Sequence, residues 1–159
     1  MWTEKQIWQL LEQVKDPEIP VLSLVDLGVI TGIAVSGEQV RVQMTPTFSG
    51  CPAMEYMRRE VEEVLTAAGF ASPEVVMSFA QPWNSNKISA KGREALQQFG
   101  LAPPPHYQVF TDLDILEQVP CPNCGSKETS LRSPFGPTLC RSLHYCHSCR
   151  QAFEQFKPV

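Results

Sequence analysis

Two Cys-x-x-Cys pairs, Cys121/Cys124 and Cys146/Cys149, lie in the last forty residues of a 159-residue chain, with 21 residues between them. Two intervening residues let a tight turn aim both sulfurs at one ion at about 2.3 Å, and two such turns complete a tetrahedron. The spacing predicts a small metal-held module in which sulfur fills every position and none stays open to activate water. Zinc in a structural role is the expected ion; iron in the same cage would make an electron carrier. Besides Leu131, Phe135, Leu139, Leu143, Phe153 and Phe156 the tail has few large apolar residues. Such a segment would barely fold unaided, whereas metal binding supplies on the order of 10 kcal/mol. In Cys121-Pro122-Asn123-Cys124-Gly125 the glycine suits a left-handed conformation that brings backbone amides toward the thiolates, but Arg150 holds the equivalent place in the second pair. Cys140, His144 and His147 are near enough in sequence to replace a ligand. The paired spacing favours the four cysteines, and Cys140 reads as a small buried side chain.

The rest of the composition narrows the setting. No stretch approaches the roughly 20 apolar residues of a membrane span, and the polar start Met1-Trp2-Thr3-Glu4-Lys5 lacks the pattern of a secretory signal. A cytoplasmic protein is expected, and in a reducing compartment six cysteines suit metal or chemistry better than disulfides. Residues 1–119 hold 8 Lys and Arg against 15 Asp and Glu, a net of −7, whereas residues 120–159 hold 5 against 2, a net of +3. An acidic body repels phosphate backbones, so nucleic acid is not an expected partner and no membrane contact is expected either.

Thr3 with Gln6 fits a capping box, and Ile7, Leu11 and Val14 follow at helical spacing, predicting a helix over about 3–15. Asp16-Pro17-Glu18-Ile19-Pro20 must leave it and is expected as an extended loop. A β-branched run over 29–35, the turn Ser36-Gly37 and the alternation of Val40, Val42 and Met44 with polar residues predict a hairpin. Cys51-Pro52 opens a second helix, lined by Met57, Val61, Leu65 and Ala68 and stopped at Gly69. A strand over 74–79 and a third helix from Ser89 to about Gln98 follow. The expected architecture is α+β, a small mixed sheet packed by about three helices and followed by a small zinc ribbon. Residues 1–100 form the first domain, the proline-containing 101–119 a connector, and 120–159 the ribbon.

Cys51 falls at the expected N-cap of the second helix, where the helix dipole favours its thiolate. Asp16 and Glu18 can contact metal or a partner, although carboxylates in such a loop are commonly just solvated. No histidine occurs in residues 1–100, so a cysteine hydrolase would lack its base and no catalytic residue is assigned.

The segments Asp16-Pro17-Glu18-Ile19-Pro20-Val21, Ser23-Leu24-Val25-Asp26-Leu27-Gly28-Val29-Ile30, and Thr45-Pro46-Thr47 with Gly50-Cys51-Pro52-Ala53 resemble the SufT-like iron–sulfur assembly domain family. Followed as they are by Cys121-Pro122-Asn123-Cys124-Gly125-Ser126, Phe135-Gly136-Pro137-Thr138-Leu139-Cys140 and Cys146-His147-Ser148-Cys149, they resemble the PaaD subfamily, encoded with phenylacetyl-CoA epoxidase. The resemblance implies a non-enzymatic accessory or maturation role for that di-iron oxygenase. It marks Asp16, Glu18 and Cys51 for handling transient iron or an iron–sulfur cluster, or for contacting a partner. The implied partners are the oxygenase and reductase components or iron–sulfur assembly proteins, with a homodimer left open. The alternatives are an electron-transfer subunit with iron in the four-cysteine site, and a ribbon that mediates interactions without delivering metal.

Overall fold

The computed structural model describes residues 1–47, 52–106 and 118–158, which group into two compact units. The first comprises Met1–Trp83 with Lys87–Ser89, the second Asn84–Asn86 with Ala90–Val159. Among the described residues no helix is long and apolar enough to cross a membrane.

Helix α1 (Glu4–Leu11) opens the first unit, and its capping box is formed in both directions: Thr3 Oγ1 accepts from the Gln6 amide and Gln6 Oε1 from the Thr3 amide at 2.9 Å. Ile7 and Leu11 on its inner face are fully buried. The helix stops four residues short of the expected end, and the following turn buries Val14 instead. Helix α2 (Leu24–Leu27) has no counterpart in the sequence reading. Ser23 caps it through the Asp26 amide, and Gly28, at φ 79°, closes it.

Strands β1 (Ile30–Ser36) and β2 (Gln39–Met44) form the expected hairpin, and β3 (Glu74–Met77) lies parallel to β2 with Val42 opposite Val75. Helix α3 (Ala53–Ala67) supplies the crossover a parallel pair requires and buries Met54, Met57, Val61 and Leu65. The sheet order is β1-β2-β3, with α1 packed on β1 and α3.

A second segment folds back onto the α2 corner. Asp26 accepts the Ser89 hydroxyl at 2.7 Å on one carboxylate oxygen and the Ser23 hydroxyl at 2.9 Å on the other. Trp83 Nε1 donates to the Leu27 carbonyl at 2.9 Å, and a Cβ at Gly28 would stand 2.8 Å from Lys87. Only glycine fits there, because the left-handed turn and the close approach coincide.

The second unit contains helix α4 (Ala90–Phe99) and strands β4 (Leu101–Ala102), β5 (Thr129–Ser133), β6 (Arg141–Cys146) and β7 (Ala152–Phe156), in the order β4-β7-β6-β5. This division differs from the sequence partition, which assigns α4 to the first domain and 101–119 to a connector. Leu101 and Ala102 pair parallel with β7 and are buried, a contact too short to show as a strand pattern. Arg93 of α4 donates to the carbonyls of Ser85, at 2.8 Å, and Pro104. Residues 107–117 of the expected connector lie outside the described residues.

Candidate metal centre

The two knuckles of the ribbon are built alike. In the first, the Cys121 amide donates to the Ser126 carbonyl at 2.9 Å; in the second, the Cys146 amide donates to the Gln151 carbonyl at 2.9 Å. Each reversal needs a left-handed residue after its second cysteine. Gly125 supplies it at φ 75° and Arg150 at φ 61°. The expectation that Arg150 breaks the pattern is therefore corrected: the arginine adopts the glycine conformation, at a steric cost that its neighbours over-determine.

This backbone path brings Cys121, Cys124, Cys146 and Cys149 together, all four sulfurs within 4.8 Å of one another. Cys121 and Cys149 stand 3.8 Å apart and Cys124 and Cys146 3.6 Å apart. A tetrahedron with metal–sulfur bonds of about 2.3 Å has edges of about 3.8 Å, so the quartet fits a single tetrahedral ion. Cys121 and Cys146 are buried, Cys149 is half-buried and Cys124 is exposed. Among the described residues this is the one such group; Cys140, His144 and His147 stand outside it. Cys140 is half-buried beside the Thr138 hydroxyl at 3.1 Å, fully buried His144 bonds Ser142 at 2.9 Å and stacks on Phe153, and exposed His147 bonds Ser130 at 3.1 Å.

Each sulfur receives a backbone amide: Cys121 from Asn123 at 3.4 Å, Cys124 from Ser126, Cys146 from Cys149 and Ser148, and Cys149 from Gln151. The thiols ionise unequally as a result. The Cys149 amide, ahead of neighbouring groups, draws Cys146 down to about 7, while desolvation, followed by the adjacent thiols Cys146 and Cys121, pushes Cys149 up to about 12. Cys124 is also raised: the Ser126 amide pulls it down, but desolvation and the thiols of Cys146 and Cys121 outweigh that pull. A dication is bound by thiolates, so its binding here releases protons from the cluster. Around the knuckles, Ser126 and Ser148 bond at 2.8 Å, Ser148 donates to Glu128 at 3.0 Å, and Asn123 donates to Gln151 at 3.2 Å. These contacts tie the knuckles to each other and fix the ligand orientation.

The N-terminal candidates sit in a different kind of place. The loop after α1 is folded rather than extended, which corrects the sequence expectation. Asp16 Oδ1 accepts from the amides of Glu18 at 2.8 Å and Ile19 at 3.0 Å, the Asp16 amide donates to Leu22 at 2.9 Å, and Ile19 and Leu22 are buried. Prolines exclude a helix here, but the Asp16 carboxylate supplies the acceptor that bends the chain. One carboxylate oxygen of Asp16 thus serves the loop, and Glu18 is exposed. Helix α3 takes Pro52 as its N-cap, one residue after the expected position, and Cys51 lies outside the described residues. The sequence reading missed the role of Asp26, whose spacing from Ser23 was the available signal.

Comparison with known proteins joins these two halves. Residues 4–75 match the model of the iron–sulfur cluster assembly protein family and residues 107–157 that of the PaaD zinc beta ribbon domain. The chain is 40% identical over 154 residues, 97% of its length and 92% of the relative's, to an Escherichia coli K12 protein named as a subunit of "Putative 1,2-phenylacetyl-CoA epoxidase". It is 34% identical over 100 residues, 62% of its length and 91% of the relative's, to an Fe-S protein maturation auxiliary factor of Porphyromonas gingivalis. Among solved structures, a domain of unknown function, DUF59, from Bacillus anthracis matches at 27% identity and a TM-score of 0.54, covering 58% of this chain and 90% of that one. A conserved hypothetical protein of Thermotoga maritima matches at 27% and 0.50, covering 63% and 96%. With its iron–sulfur assembly domain followed by this ribbon, the chain belongs to the PaaD family.

Proposed function

We propose that this chain is a non-catalytic accessory protein that assists assembly of the iron or iron–sulfur centres of phenylacetyl-CoA epoxidase, the multicomponent di-iron oxygenase that epoxidises the ring of phenylacetyl-CoA. The observation that carries the reading is the presence of an assembly domain and a PaaD ribbon in one chain, kept together at 40% identity over 97% of its length in a relative named as an epoxidase subunit. The maturation-factor name of the second relative, which matches over 100 residues, supports the same role.

On this reading Cys121, Cys124, Cys146 and Cys149 hold a structural zinc ion. Four sulfurs fill a tetrahedral shell, so the ion supplies folding energy and orientation rather than an open position for chemistry. Cys51, with Asp16 and Glu18, handles the iron cargo or contacts its recipient. The protein then works in the cytoplasm with the oxygenase and reductase components or with iron–sulfur assembly proteins.

The test is to produce the oxygenase with and without this protein, and with Cys51→Ala, and to measure iron per oxygenase and its activity. Iron-poor, weakly active oxygenase that recovers on iron loading is expected without the protein and with the variant. Full metallation in its absence contradicts a maturation role; full metallation with Cys51→Ala alone removes the cysteine from it.

A further inference from the structure

Three side chains close a hydrogen-bonded ring between the two knuckles, and the ring has one possible direction. The Glu128 amide donates to Ser126 Oγ at 3.0 Å, the Ser126 and Ser148 hydroxyls bond at 2.8 Å, and Ser148 Oγ donates to Glu128 Oε2 at 3.0 Å. A serine hydroxyl carries one proton. That of Ser148 goes to the carboxylate, so that of Ser126 must go to Ser148, and every donor around the ring is used. The Glu128 carbonyl adds a fourth bond by accepting the His147 amide at 2.8 Å. One residue thus grips the first knuckle through its amide and the second through its carbonyl and its carboxylate.

What the ring holds is a pair of ligands that face each other across the site. The Ser126 amide donates to Cys124 Sγ and the Ser148 amide to Cys146 Sγ, and these two sulfurs stand 3.6 Å apart. Each serine therefore has its amide on a sulfur of its own knuckle and its hydroxyl on the serine of the other. Cys124 is the exposed member of the quartet and Cys146 a buried one. An ion leaves a four-sulfur shell one ligand at a time, and the exposed sulfur is the first that water or a competing chelator can replace. Groups that orient metal ligands from outside the coordination shell change metal affinity by about 10–100-fold. Singly, an exposed hydrogen bond is weak, but in a closed ring each bond polarises the next.

We propose that Glu128 is the positioning residue of the metal centre: through the Ser126–Ser148 pair it holds Cys124 against Cys146 and slows loss of the ion by way of Cys124. This deepens the structural-zinc reading above and rests on it. Glu128 is exposed, and its bonds go to two serines and to the His147 amide, so its truncation leaves the four sulfurs and the buried apolar cluster in place. Metal retention and folding are therefore separable.

The test times zinc transfer from the full-length, zinc-loaded chain to an excess of coloured chelator at constant pH and ionic strength. The variants are Glu128→Ala, Glu128→Gln and Ser148→Ala. Glu128→Ala and Ser148→Ala are each expected to speed release about tenfold, with zinc stoichiometry and circular dichroism matching the parent. Glu128→Gln should release at the parent's rate, because its side-chain oxygen still accepts the Ser148 hydroxyl. In the cobalt(II)-loaded form the two alanine variants should keep the absorption intensity of a tetrahedral four-thiolate site with shifted d–d bands, the sign of ligands reoriented rather than lost. Parent-like release by both alanine variants overturns the positioning role and leaves the structural-zinc reading standing. Release by Glu128→Gln as fast as by Glu128→Ala overturns it too, since charge rather than the hydrogen-bond acceptor would then be responsible. If Glu128→Ala does not fold, Ser148→Ala and Glu128→Gln decide by the same rates. A parent that holds iron, or no zinc, overturns the structural-zinc reading and the positioning role with it.

Discussion

In the N-terminal unit Ile7, Leu11, Leu22, Leu24, Val42, Val61 and Leu65 are all completely buried, an aliphatic core drawn from two helices, a loop, a strand and a third helix. In the second unit Leu96, Leu101 and Phe156 are buried, and a separate apolar cluster joins Ala102, Val119, Cys121, Cys146 and Phe153, with Cys149 packed against it, so half of these six residues belong to the metal quartet. Ser142, His144 and Gln155 are also fully buried there. Burying such groups costs free energy that the small cluster does little to offset. From this difference we expect the first unit to be held by its own core and the ribbon strands to depend on the ion that the cysteine quartet is placed to hold.

The sharpest way to break this contrast is to remove the ion. Chelation of the full chain should abolish amide-exchange protection in β5, β6 and β7 and leave β1–β3 protected, a loss on the order of 10 kcal/mol for the ribbon. Cys146→Ser, which removes a buried ligand, should do the same with metal present. Both units melting together, or neither, would show that the division is wrong. The reciprocal change is Leu11→Ala, expected to cost the first unit about 2–5 kcal/mol in denaturant unfolding while zinc stays stoichiometric.

Smaller effects test the corners of each unit. Gly28→Ala forces a Cβ to within 2.8 Å of Lys87 in a left-handed turn and should destabilise the first unit by about 2 kcal/mol, read by the same unfolding curve. At the knuckles the comparison narrows to one residue each. Arg150→Gly should stabilise the ribbon by about 1 kcal/mol and Gly125→Ala should destabilise it by a similar amount, seen as opposite shifts in its thermal midpoint.

What was legible in the sequence follows the range of the interactions. The capping box at Thr3, the hairpin around Ser36-Gly37 and the periodic face of α3 are local, and each appears where its pattern is. The cysteine quartet was equally legible, because the spacing of two pairs alone dictates a knuckle. Helix α2 was missed because one turn shows no periodicity, although Ser23 and Asp26 carry its cap. The fold of the 16–22 loop depends on a side-chain acceptor bending a proline-rich stretch, and β4 depends on a strand fifty residues later; neither leaves a local pattern. Arg150 was misjudged because residue preference is only a weak guide where a metal-binding turn dictates the backbone.

The central claim, that sulfur alone fills the ion's coordination shell and leaves the ribbon a scaffold, is tested most directly by X-ray absorption at the metal edge of the purified full-length protein. The account predicts one zinc ion per chain with four sulfur neighbours at about 2.3 Å and no nitrogen or oxygen. A histidine or water in the first shell, or iron in place of zinc, would contradict it.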